Sequence, residues 1–216
     1  MIIKWIGPLK GDQYYPVSNK KTAIFLHHTA GDSAASAVSW WNQTPENVGT
    51  ALLVDRAGTA LQCFDLDKWA YSLGVKGETS FEKVSVGIEI VAMGWLLKEG
   101  EEFVSYPLWP LKKKRVIIAK EDVIKLEKPW RGFTYYHKYN DAQIKTIIEL
   151  CVYLVDRFKI VVQKDLSNFW EYNPEVFQKD MPGIWSHTTV RRDKSDIYPD
   201  PKLIAGLKEA FNNKAK

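Results

Sequence analysis

Cysteine is nearly absent from this chain of 216 residues, which has only Cys63 and Cys151. Two cysteines close one bridge at most and fit no zinc-finger spacing, so a disulfide-built scaffold is excluded. No apolar run approaches the roughly 20 residues that a bilayer span needs, and no membrane span is expected. The first ten residues, MIIKWIGPLK, are interrupted by Lys4 and Pro8, a pattern that predicts no secretory signal peptide. Neither sign of charge dominates. Lys and Arg number 30 against 26 Asp and Glu, a net charge of +4 with a pI near 8.8. That is too weak and dispersed to argue for nucleic acid, but it suits a polyanionic partner. There is no internal repeat and no low-complexity linker, so one domain over residues 1–216 is expected.

Aromatic residues, by contrast, are plentiful, with nine Trp, ten Tyr and nine Phe. Most should be core, and some could line a ligand groove. The apolar run Ala23–His28 reads as a buried strand, and Asp32 as the cap of a short helix carrying Ala34, Ala37, Val38 and Trp41. Ala51–Val54 and Thr59–Phe64 flank Arg56-Ala57-Gly58 as a hairpin, and Val84–Val91 reads as another central strand. Residues 92–139 read as an insertion of hairpins and loops. Asn140 starts a helix with a stripe of Ile144, Ile147, Ile148, Cys151, Val155 and Phe158. Gly183–His187 reads as the last strand, and Asp200-Pro201 opens a final helix with Leu203, Ile204, Leu207 and Phe211 inward. These elements predict a mixed α/β fold, a central sheet flanked by helices.

The chain has four histidines: His27, His28, His137 and His187. His27, His28 and His187 fall at predicted strand ends, with carboxylates downstream of His187 in Arg191-Arg192-Asp193-Lys194-Ser195-Asp196. Buried imidazoles beside a carboxylate are what a mononuclear zinc site requires. Hydrogen-bonded core histidines next to a solvated charged loop would give the same pattern, and spacing alone leaves both open.

The residues themselves add a resemblance. Ile24-Phe25-Leu26-His27-His28-Thr29-Ala30-Gly31 resembles the first metal-ligand motif of the type-2 N-acetylmuramoyl-L-alanine amidases, the superfamily that includes the peptidoglycan recognition proteins. Leu53-Val54-Asp55-Arg56-Ala57-Gly58-Thr59, Trp69-Ala70-Tyr71-Ser72-Leu73-Gly74 and Ser85-Val86-Gly87-Ile88-Glu89-Ile90 are similar to that family's hairpin, loop and strand motifs, in the same order. His187 with Lys194-Ser195-Asp196 is similar to its closing segment. The resemblance implies zinc held by His27, His187 and Asp196, with Glu89 as proton carrier and Lys194 stabilising the oxyanion. Adjacent strand residues face opposite sides, so His27 and His28 cannot both reach one metal, and the resemblance places the first of the pair, His27, on it. It also prefers Asp196 to Asp193, because the family's ligand lies two residues after the lysine. His28 is then expected to pack or hydrogen-bond behind the site.

The implied activity is hydrolysis of the amide between the lactyl group of N-acetylmuramic acid and L-alanine of peptidoglycan. The implied setting is a monomeric phage endolysin, made in the cytoplasm and acting in the periplasm or cell wall. The chain departs from the family pattern at Ser72, where many relatives have histidine, and at Thr50 and Ala51 near the hairpin. These departures keep a peptidoglycan-binding module without strong hydrolysis as an alternative, beside a bacterial wall-recycling amidase. A zinc peptidase on another fold is disfavoured by the lack of H-E-x-x-H. Trp69, Ser72 and Thr50 are candidate substrate contacts, and Trp40, Trp41, Trp95 and Trp109 candidate stacking surfaces. His137 reads as surface or groove wall, and Lys112–Arg115 most simply as a solvated hairpin tip, whose functional reading is attraction to the anionic wall or outer-membrane surface.

Overall fold

The computed structural model describes residues 2–6, 9–75, 79–107 and 114–212. Among these, β1 (Ile3–Trp5), β2 (Ala23–His28), β3 (Leu52–Val54), β4 (Ala60–Gln62) and β5 (Ser85–Ile90) enter one sheet. A second sheet is built from β6 (Trp95–Glu99), β7 (Glu102–Ser105), β8 (Val116–Ile118), β9 (Val123–Trp130) and β10 (Phe133–His137). The last strand, β11 (Gly183–Ser186), returns to the first sheet. The helices are α1 (Ala34–Trp41), α2 (Ser80–Val84), α3 (Asp141–Phe158), α4 (Pro174–Gln178), α5 (His187–Val190) and α6 (Pro201–Asn212).

The first sheet runs β1-β4-β3-β5-β2-β11, with β3, β5, β2 and β11 parallel and β4 antiparallel to β3. Every residue of β2 is buried. A strand with neighbours on both edges and cover on both faces needs this unbroken apolar sequence rather than alternation. The β3–β4 hairpin turns at Asp55, whose Oδ1 accepts the Thr59 N–H at 2.7 Å. Arg56 in that turn donates to the Lys138 carbonyl, Gln143 Oε1 and Asp122 Oδ1, tying the hairpin to the start of α3.

Asn140 caps α3 in a reciprocal capping box with Gln143. The buried stripe of α3 is Ile144, Ile147, Leu150, Cys151 and Leu154, whereas Ile148, Val155 and Phe158 only flank the core. The apolar face is thus rotated from the expected one, while α6 packs on α3 with Gly206 against Ile148. Asp200 caps α6 as expected, its Oδ1 accepting the N–H groups of Lys202 and Leu203, each at 2.9 Å. At α1 the cap is Ser33, which accepts the Ser36 N–H, and Asp32 instead receives the Ser33 and Ser36 hydroxyls.

The 92–139 insertion is a five-stranded antiparallel sheet in the order β8-β7-β6-β10-β9. It carries a small core of Met93, Leu96 and Ile118. Its Leu126 and Tyr136 belong to the main core.

Candidate metal centre

Strand register assembles the site. In the parallel pairing of β2 with β5, His27 lies opposite Glu89 and His28 opposite Ile90. On the other edge Ser186 pairs with Leu26, so the next residue, His187, comes level with His27. Residues level in neighbouring parallel strands project to the same face, about 4.8 Å apart. Glu89, His27 and His187 therefore form a row at the carboxyl ends of three adjacent strands, where open α/β sheets place their ligands. The expected last strand stops one residue short, because His187 is the first residue of α5, whose cap is Ser186. That turn swings the imidazole toward His27, with ring centroids 4.6 Å apart.

Asp196 closes the group. Its Oδ2 is 3.0 Å from His187 Nδ1 and 3.3 Å from His27 Nδ1. One ligand atom from each of the three residues falls within 4.8 Å of the others. Asp193 is held elsewhere, in a bidentate pair with Arg191 at 2.7 and 2.5 Å. Arg191 keeps the Asp193 carboxyl down at about 2.

The hydrogen-bond inventory shows what this cluster lacks. The Nε2 of His187 is 3.0 Å from the Leu73 carbonyl, which can only accept. A neutral His187 that donates there turns the lone pair of Nδ1 toward a carboxylate oxygen, acceptor against acceptor. Burial pushes His27 down to about 4, against the pull of Asp196, so its ring stays neutral at pH 7. Two imidazole nitrogens and a carboxylate oxygen crowded together in this way fit a cation, and the N, N, O donor set is one that zinc accepts. Burial alone would raise the Asp196 carboxyl. His187 and His27 beside it hold it well below the usual range instead.

Glu89 borders the cluster. Its Oε2 is buried without a hydrogen-bond partner among the described residues. Burial first, and the Asp196 charge second, push its carboxyl well above the ordinary carboxylate range, while the Lys194 charge pulls the other way. Glu89 also lines a cavity of about 100 Å³ with Thr29, Gly31, Ser36, Trp40 and Trp41. Trp40 is 43% exposed there and Trp41 is buried.

His28 turns to the opposite face, as strand alternation requires. Its Nδ1 is 2.9 Å from the Tyr139 hydroxyl, and Gly94 packs so closely that a Cβ would lie 2.6 Å from His28 Nε2.

Residues 18–201 match the family described as N-acetylmuramoyl-L-alanine amidase. The chain belongs to that family. Comparison with curated protein sequences finds no match. Among solved structures, the catalytic domain of XlyA is 13% identical with a TM-score of 0.54, covering 96% of this chain and 99% of that one. The N-acetylmuramyl-L-alanine amidase AmiD from E. coli is 18% identical with a TM-score of 0.52, covering 88% of this chain and 59% of that one. A mutant endolysin from Bacillus subtilis is 12% identical with a TM-score of 0.51, covering 96% of this chain and 99% of that one. The amidase thus has the mixed α/β fold of the type-2 enzymes and is a hydrolase acting on an amide bond.

The remaining candidate residues of the amidase fall in different places. Thr50 and Trp69 are 2% and 7% exposed, and with Ser72 they line an internal space of about 10 Å³, room for about one water and no substrate. Trp95 stacks on Phe133 at 4.2 Å. Trp109, Lys112 and Lys113 lie outside the described residues, while Arg115 pairs with Glu99 and Glu102. His137 is neither surface nor groove wall. It is buried, its Nδ1 accepts the Met93 N–H at 3.1 Å, and burial lowers it to about 4. No helix among the described residues is long and apolar enough to cross a membrane.

Several residues around the His27–His187–Asp196 cluster give no local signal in the sequence. Arg131, in the β9–β10 turn, donates to the carbonyls of Thr188 and Arg192, latching the segment that bears His187 and Asp196 to the second sheet. Arg191 donates to the carbonyls of Leu73 and Gly74. Glu82 is buried and accepts from the Ser72–Gly74 loop. Long-range contacts of this kind leave no local periodicity to read.

Proposed function

We propose that the amidase is a zinc enzyme, with His27, His187 and Asp196 as ligands, that cleaves the bond between the N-acetylmuramic acid lactyl group and L-alanine of peptidoglycan stem peptides. The observation that carries this reading is the convergence of two imidazole Nδ1 atoms on one Asp196 oxygen, with the Nε2 of His187 committed to the Leu73 carbonyl. Bound there, zinc supplies Lewis acidity toward the amide carbonyl at neutral pH.

The chain's own groups carry the protons and the charge. Glu89 Oε2 has no competing partner and its carboxyl holds a proton more tightly than a free one, so it can take a proton from the attacking water and return it to the departing alanine nitrogen. The Lys194 charge is felt at both Glu89 and His27, where it would stabilise negative charge developing on the carbonyl oxygen. Trp40, exposed beside the cavity that Glu89 lines, offers apolar surface to the substrate.

We read its role as that of a monomeric phage endolysin, with this chain as its catalytic domain, made in the cytoplasm and acting on peptidoglycan in the periplasm or cell wall. The fold shared with the Bacillus subtilis endolysin supports this reading.

Digestion of purified muropeptides with and without chelator, followed by mass spectrometry, tests the chemistry. The expected products are free stem peptide and intact glycan, with chelator abolishing both. Cut glycan, or chelator-resistant cleavage, overturns the proposal.

A further inference from the structure

Glu82 lies in α2, on no strand of the ligand row, and is 2% exposed. Its Oε2 accepts from the Ser72 N–H at 2.9 Å and the Ser72 hydroxyl at 3.2 Å. Its Oε1 accepts from the N–H groups of Leu73 at 2.9 Å and Gly74 at 3.0 Å. All four contacts are donors. A buried carboxylate satisfied in this way is strongly bonded as an anion, whereas a proton on it would meet no acceptor.

The three successive N–H groups belong to the loop whose Leu73 carbonyl faces His187. The Leu73–Gly74 peptide is held at both ends, its N–H by Glu82 Oε1 and its C=O by His187 Nε2 at 3.0 Å. A carboxylate at the N–H end of a peptide polarises it, enriching the carbonyl oxygen and strengthening the bond that oxygen accepts. In a neutral imidazole whose Nε2–H is fixed in this way the lone pair lies on Nδ1, the atom 3.0 Å from Asp196 Oδ2. Metal-ligating histidines are commonly oriented by a carboxylate touching the distal nitrogen. Here one peptide group stands between the two.

Building on the zinc reading above, we propose that Glu82 is a positioning residue that acts through the Leu73–Gly74 peptide to hold His187 as the Nε2–H tautomer, with Nδ1 free for the metal. The arrangement also accounts for Ser72 at a position where the family's pattern has histidine: its N–H and hydroxyl both serve Glu82. In Glu82→Gln the side chain keeps its size but loses half its acceptors and turns an NH₂ toward backbone donors.

The test uses the full chain and two readouts. The first is ¹⁵N NMR of the His187 ring in metal-free wild type at about pH 8, where free imidazole is neutral. The expected signal is a single Nε2–H tautomer, giving way to a mixture in Glu82→Gln. An Nδ1–H tautomer in the wild type overturns the proposal, and that measurement needs no variant to fold. The second readout is zinc affinity by competition with a chelator. Glu82→Gln should bind about 10–100-fold more weakly than wild type, the range for losing an outer-shell partner. A folded variant with unchanged affinity and an unchanged tautomer makes Glu82 purely structural and overturns the inference. A wild type that takes up no zinc sinks the metal reading alone, and the tautomer measurement still decides the role of Glu82.

Discussion

Replacing Glu89 by Gln separates proton transfer from structure. Glu89 Oε2 is buried without a partner, so the substitution breaks no hydrogen bond at that atom. The remaining change is electrostatic. Burial and the Asp196 charge raise the Glu89 carboxyl in the folded chain. A group raised in this way contributes stability below its unfolded pKa of about 4.3, and loses it as pH rises toward the folded value. At pH 7 the wild type therefore bears the cost of a buried charge, or of keeping a proton there, and the neutral amide does not. Metal-free Glu89→Gln should match metal-free wild type in stability to within about 1 kcal/mol, the relief of the buried charge offset by the new buried NH₂ donors. Activity should fall. An amide cannot accept and return a proton, and loss of a general acid–base group costs about 10²–10⁴-fold. Zinc content should hold, because Glu89 is not among the three residues whose donor atoms converge. The assay is turnover of a muramoyl-peptide by zinc-replete variant, beside urea denaturation of the metal-free proteins. Near-wild-type turnover would remove Glu89 from the mechanism. A loss of several kcal/mol in stability would show that its carboxylate has a structural partner after all.

Other perturbations test the rest of the site and its frame. His27→Ala and His187→Ala should each lose the single bound zinc by elemental analysis, and His28→Ala should retain more than His27→Ala; the reverse order would mean the wrong face was assigned. Lys21 is fully buried, its Nζ donating to the carbonyls of Lys68 and Lys83, and burial lowers it to about 7. Its folded pKa is below the unfolded value of about 10.4, so the folded chain binds fewer protons in that window and wild-type stability should rise from pH 7 toward 10. That rise should be absent from Lys21→Met, and parallel pH profiles would refute it. Gly94→Ala places a Cβ 2.6 Å from His28 Nε2 at a φ of 78°. It should cost about 1–3 kcal/mol, a fall in Tm of roughly 2–12 °C for a chain of this size. An unchanged Tm would show that the contact relaxes freely.

Local chemistry made much of this protein readable from its sequence. The unbroken apolar run ending in His27-His28 could only be a strand covered on both faces, and Asn140 and Asp200 announced their helices because a cap acts on N–H groups two or three residues away. The same locality explains the errors. Asp32 and Ser33 are both good caps, and only the path of the chain into α1 lets Ser33 take the role. His187 looked like the end of a strand because apolar residues precede it, yet the capping box of Ser186 and Thr189 had already begun a helix. Alternation required His27 and His28 to diverge, and left open which one faced the cluster. Only the register of β2 against β5 and β11 settles that, by setting His27 level with Glu89 and His187 while Gly94 and Tyr139 close over His28. The placing of Asp196 beside the histidines and of Asp193 on Arg191, the five-stranded sheet that latches the His187–Asp196 segment through Arg131, and the carboxylate of Glu82 behind the Leu73–Gly74 peptide arise in the same way. Each depends on which distant segments the folded core brings within about 3 Å, and a residue's neighbours in sequence hold no record of that distance.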